Sequence, residues 1–200
     1  MPPQRRRLLS LATICALGPI RTTAHARASV RTRVETAAGS FVIAVDVRAA
    51  PVTAANFLAY VDARDLDGGS VYRIVTLANQ AADTAHKIEV VQWGMNLPDG
   101  KSAPRPPIRL ETTRETGLRH LDGTVSMARS TPDSATAEFF ICIGDQPELD
   151  FGGHRNPDGQ GFAAFGQVVD GMSVVRALHA GGGSAQYLPE PIPVRAVRRV

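Results

Sequence analysis

The residue types that most often do chemistry are scattered through this 200-residue sequence rather than grouped. Beyond the N-terminal region, histidines stand at His86, His120, His154 and His179. No two of them have the short spacing that is typical of paired metal ligands, and Cys142 has no partner cysteine. The sequence therefore predicts no metal site.

Nucleophilic and phosphate-binding motifs are also missing. Ser126 lies in GTVSMA and Ser184 in GGGSAQ, and neither matches the G-x-S-x-G turn that exposes a catalytic serine. Cys142 lies within the apolar alternation FFICIG, which favours a small buried side chain over a reactive thiol. The glycines of PDGQGFAAFG form neither G-x-G-x-x-G nor a P-loop. Whatever chemistry the chain performs needs isolated polar residues rather than one of these motifs.

The first 26 residues have the pattern of an export signal. QRRR is followed by the apolar run LLSLATICALGPI and by Ala24-His25-Ala26, an A-x-A cleavage pattern. We expect residues 1–26 to be a signal peptide, residues 27–200 to be one domain, and the mature protein to be periplasmic or secreted. The leader favours the general secretory route, with twin-arginine export as the alternative.

Removing this leader changes the charge and the cysteine content. The leader carries four arginines and no acidic residue, so the formal net charge falls from +3 to −1. No block of like charge remains, and we expect no nucleic-acid partner. Cys142 becomes the one cysteine of the mature chain, which excludes an internal disulfide.

Short segments with period-two hydrophobicity predict a mainly β domain. The predicted strands are residues 40–47, 70–75, 88–94, 123–129, 137–144, 162–171 and 193–200. Two segments have helical periodicity: APVTAANFLAYVDA, with Pro51 suited to the first turn, and MSVVRALHA. Many short strands with glycine and proline turns predict an antiparallel barrel or a sandwich.

Several of these segments, in this order and spacing, resemble the cyclophilin-type peptidyl-prolyl cis-trans isomerases. The matching segments are APVTAANFLAYV, VYRIV, the glutamine of VVQWG, GTVSMAR, AEFFICIG, ELDFGG and AAFGQVVDGM, and the similarity runs from about Val34 to Val200. The resemblance implies a closed eight-stranded antiparallel barrel capped by two α-helices. It also implies isomerisation of X-Pro bonds in proline-containing polypeptides, with no cofactor.

The resemblance assigns roles to particular residues. Arg73 and Gln92 match the catalytic arginine and the glutamine that orients it and helps to hold the substrate carbonyl. The positions that match substrate-binding residues are Tyr72, Val90, Ala128, Arg129, Glu138, Phe140, Leu149 and Phe162. Because neighbouring strand residues face opposite sides, Phe140 is expected to form the floor of the proline pocket and Phe139 to enter the barrel core.

The chain departs from the family pattern around this site. Tyr72 replaces a common histidine, and Glu138 replaces a common glutamine, so we expect its carboxylate to pair with Arg73. The interval between Arg73 and Gln92 is longer than usual. Its loop, residues 76–87, either covers the groove or leads elsewhere. Glu89 and Trp93 stand where the family has an aromatic residue and a glycine.

Three functions remain open from the sequence. The first is an isomerase that acts on exported proteins. The second is a catalytically weak peptide-binding or holdase module on the same barrel, which the changes around the pocket would favour. The third is a hollow carrier barrel, disfavoured because its strands match a filled barrel. A monomer is expected, since the chain has no heptad repeat or apolar tail.

Overall fold

The architecture comes from a computed structural model that describes residues 29–97 and 102–200. The predicted signal peptide lies outside the described residues. The strands are β1 Ser29–Thr36, β2 Gly39–Asp46, β3 Ser70–Val75, β4 Val90–Gly94, β5 Thr124–Met127, β6 Glu138–Cys142, β7 Ala164–Asp170 and β8 Tyr187–Arg199. The helices are α1 Pro51–Ala63, α2 Thr113–Thr116 and α3 Met172–Ala180, and a 3₁₀ turn spans Pro147–Leu149.

The eight strands form a closed barrel in the order β1-β2-β7-β5-β6-β4-β3-β8, and β8 pairs with β1 to complete it. Every pairing is antiparallel. Closure removes the exposed edges that a sandwich of the same strands would leave. The barrel prediction is therefore confirmed, and the sandwich alternative is excluded.

Aromatic side chains occupy the space between the barrel wall and α1. The Phe57 ring of α1 meets Phe139 at 5.1 Å and Phe165 at 5.2 Å between ring centroids, and Trp93 lies 5.2 Å from Phe139. All four side chains are at most 1% exposed. An interior filled in this way is a packed core rather than a ligand cavity, which argues against the carrier hypothesis.

The structure corrects the prediction of two helices, since α2 is a third. Thr112 and Glu115 form a reciprocal capping box around this single turn, and Gly117 ends it in the left-handed conformation with φ 70°. The T-x-x-E signal is present in the sequence, but it precedes no helical repeat of apolar residues, so periodicity could not reveal it. None of the described helices has the length and apolar character needed to cross a membrane.

The largest differences from the predicted strands are one strand that was missed and one that is longer than predicted. β1 was not recognised, because threonines rather than large apolar residues occupy inward positions such as Thr32 and Thr36. β8 begins at Tyr187, six residues before the predicted start. Prolines at positions 189, 191 and 193 masked this part of the strand, since proline cannot donate a ladder hydrogen bond.

Candidate active site

One row of cross-strand neighbours crosses four adjacent strands of the barrel wall. Arg73 on β3 lies opposite Gln92 on β4 and Tyr187 on β8, and Gln92 lies opposite Phe140 on β6. Directly opposed residues of antiparallel strands project on the same side of the sheet. The barrel register thus brings together Arg73, Gln92 and Phe140, although they are far apart in sequence.

Two glutamine side chains hold the Arg73 guanidinium. Its Nη1 donates to Gln92 Oε1 at 2.9 Å, and its Nε and Nη2 donate to Gln186 Oε1 at 3.1 and 2.6 Å. The Tyr187 ring centroid lies 5.6 Å from the Arg73 Cζ. A guanidinium has five N–H groups, so one hydrogen on each Nη atom remains for a substrate. Gln186 and Tyr187 were missed because the prolines of β8 hid this strand segment.

A bulge in β3 explains why Tyr72 also reaches this site. The register of β3 against β4 shifts between Val71 and Arg73, which makes Tyr72 the extra residue. Gln92 Nε2 donates to the Tyr72 hydroxyl at 2.5 Å, and the Tyr72 ring stacks on Tyr187 at 6.4 Å. Burial, followed by the nearby Glu138 carboxylate, raises the pKa of Tyr72 well above its usual value. Tyr72 therefore remains a neutral phenol.

The predicted ion pair between Glu138 and Arg73 is wrong for this structure. Within residues 29–97 and 102–200, the hydrogen-bond partners of the Arg73 guanidinium are Gln92 and Gln186, and no ion pair joins it to Glu138. The Glu138 carboxylate instead interacts with the hydroxyl of Tyr72, through a side-chain hydrogen bond and through its charge. The β3 bulge is the physical reason, because it inserts the tyrosine beside Glu138.

Accordingly, we expect Glu138→Gln to change kcat/KM for X-Pro isomerisation by less than about fivefold, which corresponds to roughly 1 kcal/mol. Glutamine keeps an acceptor oxygen for Tyr72 and leaves both glutamine partners of Arg73 in place. Rates measured with a short X-Pro peptide would check this. Complete loss of turnover would show that the carboxylate itself is essential.

Beside Arg73 lies a small apolar cluster that is separate from the barrel core. Its buried members are Val75, Ile88, Val90, Phe140, Cys142 and Leu149, and Ala128 and Phe162 pack against it. The Phe162 ring meets Phe140 edge to face, with 5.4 Å between centroids. Phe139 belongs to the core instead. The predicted division of the two phenylalanines between core and pocket is therefore confirmed, and Cys142 is a buried apolar residue as expected.

A groove of about 490 Å³ is lined by most of this cluster, though not by Val75 or Cys142, and by the Arg73 side chain. Nine of the ten predicted site residues line it: Arg73, Val90, Gln92, Ala128, Arg129, Glu138, Phe140, Leu149 and Phe162. Tyr72 does not line it and contacts the site through Gln92. Lining residues that the sequence did not reveal are Ile88, Ser130, Ser134, Thr136, Arg155, Asn156 and Tyr187. They come mostly from loops, which carry no periodic signal.

Arg129 is fixed at the rim of this groove. Its guanidinium makes two hydrogen bonds to the Asp158 carboxylate at 2.8 and 2.9 Å, and its Nε donates to the Gly161 carbonyl at 2.8 Å. The Cζ atom lies 5.1 Å from the Phe162 ring centroid. Arg129 thereby holds Phe162 against the pocket, and its side chain is only 1% exposed.

The long loop at residues 76–87 lies beside the groove. None of its residues lines the groove. Arg155, which lines the groove, connects it to this loop: its Nη1 donates to Gln80 Oε1 at 3.1 Å and to the His86 carbonyl at 3.0 Å. Burial and the positive charge of Arg73 lower the pKa of Arg155. Glu89 does not line the groove either; it approaches His179 at 3.8 Å.

Beneath the pocket, His120 links Asp150 to Ser126. The distances are 2.7 Å from His120 Nδ1 to Asp150 Oδ1 and 2.9 Å from His120 Nε2 to Ser126 Oγ. This is the connectivity of a hydrolytic triad, but His120 is 1% exposed and Ser126 is fully buried. The His120 ring stacks on Phe140 with 5.9 Å between centroids. The network therefore supports the pocket floor and cannot meet a substrate.

Protonation states follow from this geometry. Burial opposes ionisation of Asp150, but hydrogen bonds from His120 outweigh it and lower the pKa of the carboxyl group. Burial also lowers the pKa of His120. An ionised carboxylate can only accept, so Nδ1 of the neutral imidazole carries the proton and Nε2 accepts from the Ser126 hydroxyl.

We expect the free energy of unfolding to fall as the pH drops below about 6.5, the usual pKa of histidine. The folded state depresses the pKa of His120, so the unfolded state binds more protons, and the loss approaches about 1.4 kcal/mol per pH unit. Urea unfolding at pH 7.5 and 5.0 would measure it. His120→Gln should flatten this dependence; an unchanged slope in that variant would contradict the assignment.

Comparisons with known proteins agree with this geometry. Residues 31–198 match the family model described as "Cyclophilin type peptidyl-prolyl cis-trans isomerase/CLD". Peptidyl-prolyl cis-trans isomerase A of Dickeya dadantii is 35% identical over 172 residues, which cover 85% of this chain and 82% of that protein. Peptidyl-prolyl cis-trans isomerase B of Escherichia coli is 34% identical over 157 residues, covering 78% and 87% respectively.

A crystal structure of a Cryptosporidium parvum cyclophilin-type peptidyl-prolyl cis-trans isomerase shares the fold, with a TM-score of 0.68 at 16% identity. The match covers 86% of this chain and 98% of that one. Fold, family model and curated relatives lead to one conclusion. The chain belongs to the cyclophilin-type peptidyl-prolyl cis-trans isomerases.

Proposed function

We propose that this member of the family accelerates rotation about X-Pro bonds in exported polypeptides, with Arg73 as the catalytic donor. The observation that carries the proposal is the alignment of Arg73, Gln92 and Phe140 across three neighbouring strands. It puts a permanently charged donor next to an apolar pocket of the kind that a proline ring would fill. No cofactor enters the reaction that follows.

The barrier to X-Pro rotation, about 20 kcal/mol, comes from amide resonance. Catalysis therefore requires tighter binding of the twisted amide than of either planar form. When the bond twists, the prolyl nitrogen regains a lone pair that can accept a hydrogen bond. The free N–H groups of Arg73 donate to it, and they cost no reorganisation because Gln92 and Gln186 already orient the guanidinium.

Gln92 serves mainly to position Arg73. Its Oε1 accepts from the guanidinium, and one hydrogen on its Nε2 is donated to Tyr72. The second Nε2 hydrogen remains for the carbonyl of the residue before proline. Ala128 and Arg129 line the same groove next to the pocket, where the extended substrate backbone would run.

The proline ring would lie on Phe140 and against Phe162, with fully buried Leu149 behind this wall. Phe140 is 4% exposed, so most of the protein surface that the ring would cover belongs to the partly buried Phe162 and Ala128. Burying a ring against such surfaces contributes binding energy of roughly 25 cal/mol per Å² of apolar area. That energy holds the substrate at the pocket while the amide turns.

The export part of the proposal rests on the leader sequence, which ends in the cleavage pattern Ala24-His25-Ala26. The test is cell fractionation of the natural host, or of a bacterium that expresses the full chain, followed by mass determination of the product. We expect a periplasmic or secreted protein that begins near residue 27. A cytoplasmic protein with its leader intact would refute export and leave the isomerase assignment unaffected.

The enzymatic part is tested by the cis-to-trans rate of a short X-Pro peptide, followed by NMR exchange so that no coupling protease is needed. Acceleration above the uncatalysed rate, proportional to protein concentration, is expected. If the peptide binds to the groove but its exchange rate stays uncatalysed, the chain is a peptide-binding module or holdase on the same barrel.

A further inference from the structure

Three potential metal ligands meet between the 76–87 loop and the turn that follows the 3₁₀ segment. His86 Nδ1 lies 3.1 Å and His154 Nδ1 lies 3.2 Å from the same oxygen of Glu148, Oε2. One ligand atom from each residue lies within 4.8 Å of the other two. The two imidazole rings stack with 5.0 Å between centroids. Sequence spacing could not reveal this cluster, since His86 belongs to the long loop and the others to a turn far along the chain.

Other contacts than those among the three side chains hold the backbone around this cluster in place. Arg155 anchors the loop, as its guanidinium donates to the carbonyl of His86 at 3.0 Å. The turn after the 3₁₀ segment is tight: a Cβ on Gly153 would stand 2.5 Å from the Glu148 carbonyl oxygen. The backbone N–H of His154 donates to Glu148 Oε2 at 2.9 Å, which fixes the carboxylate. The donor set is thus largely preorganised.

We propose that His86, Glu148 and His154 form a Zn²⁺ site. Two imidazoles and one carboxylate are a ligand set that zinc accepts, with water in the remaining position. Tetrahedral zinc with bonds of about 2.0–2.1 Å holds its ligand atoms roughly 3.4 Å apart, close to the two distances found here. Zinc binding requires the two exposed imidazole rings, which stack at an interplanar angle of 24°, to rotate until both Nδ1 lone pairs point at the ion.

Solvent reaches the site directly. The side chains of His86, Glu148 and His154 are 39%, 35% and 71% exposed, which gives a metal ion an entry path. The bound ion would tie the 76–87 loop to the turn at residues 147–155. Arg155, which lines the groove and contacts both segments, lies between them. The three proposed zinc ligands share no residue with the row of Arg73, Gln92 and Phe140.

The test is isothermal titration of the untagged protein with ZnCl₂ at pH 7.5, with Co²⁺ absorption to report coordination. We expect one ion per chain and a rise in Tm of roughly 3–8 °C at saturating zinc. His86→Ala and His154→Ala should each weaken binding by about tenfold or more. Glu190→Gln, at an exposed carboxylate on β8, is the matched control and should bind zinc like the wild type.

Two results would overturn the proposal. One is the absence of zinc binding by the folded wild-type protein, in which case the two histidines only pair with Glu148. The other is binding that persists at full strength when both histidines are replaced, which would place the ion elsewhere. Neither result depends on isomerase activity, so a failure of this proposal is distinguishable from a failure of the proposed function.

Discussion

Arg73→Ala will lower kcat/KM for X-Pro isomerisation by roughly 10²–10³-fold, the usual cost of removing one preorganised donor from a transition state. The substitution removes the N–H groups that would face the prolyl nitrogen, while the apolar pocket around Phe140 stays intact. Arg73→Lys should recover little of this loss. A lysine is a point charge and cannot hold Gln92 and Gln186 while it donates to substrate, as the planar guanidinium does.

The measurement is NMR exchange of an X-Pro peptide at several enzyme concentrations. Arg48→Ala is the matched control, because Arg48 is an exposed arginine outside the groove, and its rate should equal that of the wild type. Thermal unfolding of each variant verifies the fold. If folded Arg73→Ala retains wild-type kcat/KM, another group must stabilise the twisted amide, and the assignment of Arg73 is wrong.

Much of the fold was predictable from local patterns. The alternation in AEFFICIG was enough to place Phe139 and Phe140 on opposite sides of β6, and Pro51 with the apolar positions after it predicted α1. Closure into a barrel was not visible in any one segment. It depends on pairings between distant strands, such as β1 with β8, and became an expectation only through the resemblance.

The site was predictable where it lies on regular strands and unpredictable where a bulge or loop intervenes. Arg73, Gln92 and Phe140 occupy regular positions, and the barrel register aligns them. The bulge in β3 could not be seen in SVYRIV. The sequence therefore predicted a pair between Glu138 and Arg73, whereas in the structure Glu138 interacts with Tyr72. Side-chain orientation at a bulge depends on the partner strand, which local sequence does not contain.

Clusters assembled from several loops gave no sequence signal. His120 and Ser126 are six residues apart, but Asp150 lies beyond β6 in the sequence, and only the folded chain makes the three one network. The same applies to Glu111, which the sequence analysis did not single out. It is 2% exposed in the structure, and its partners are about sixty residues earlier in the chain.

Glu111→Ala is expected to lower the free energy of unfolding by about 3 kcal/mol. Its carboxylate caps the N-terminus of α1: it accepts from the backbone N–H groups of Val52 and Thr53 at 3.1 and 2.7 Å and from the Thr53 hydroxyl at 2.7 Å. Ala50, the residue at the cap position, provides no side-chain hydrogen bond. Alanine at position 111 would leave these buried donors without an acceptor and remove a negative charge from the positive end of the helix dipole.

Urea unfolding of wild type, Glu111→Ala, Glu111→Gln and Glu190→Ala would test this role. Glu111→Gln keeps one acceptor oxygen and should lose less than Glu111→Ala, while exposed Glu190 should cost less than about 0.5 kcal/mol. A loss below about 1 kcal/mol in Glu111→Ala would mean that water replaces the carboxylate at the helix end. Because α1 contributes Phe57 to the aromatic core, the larger loss would show that a residue remote in sequence stabilises the barrel that positions Arg73.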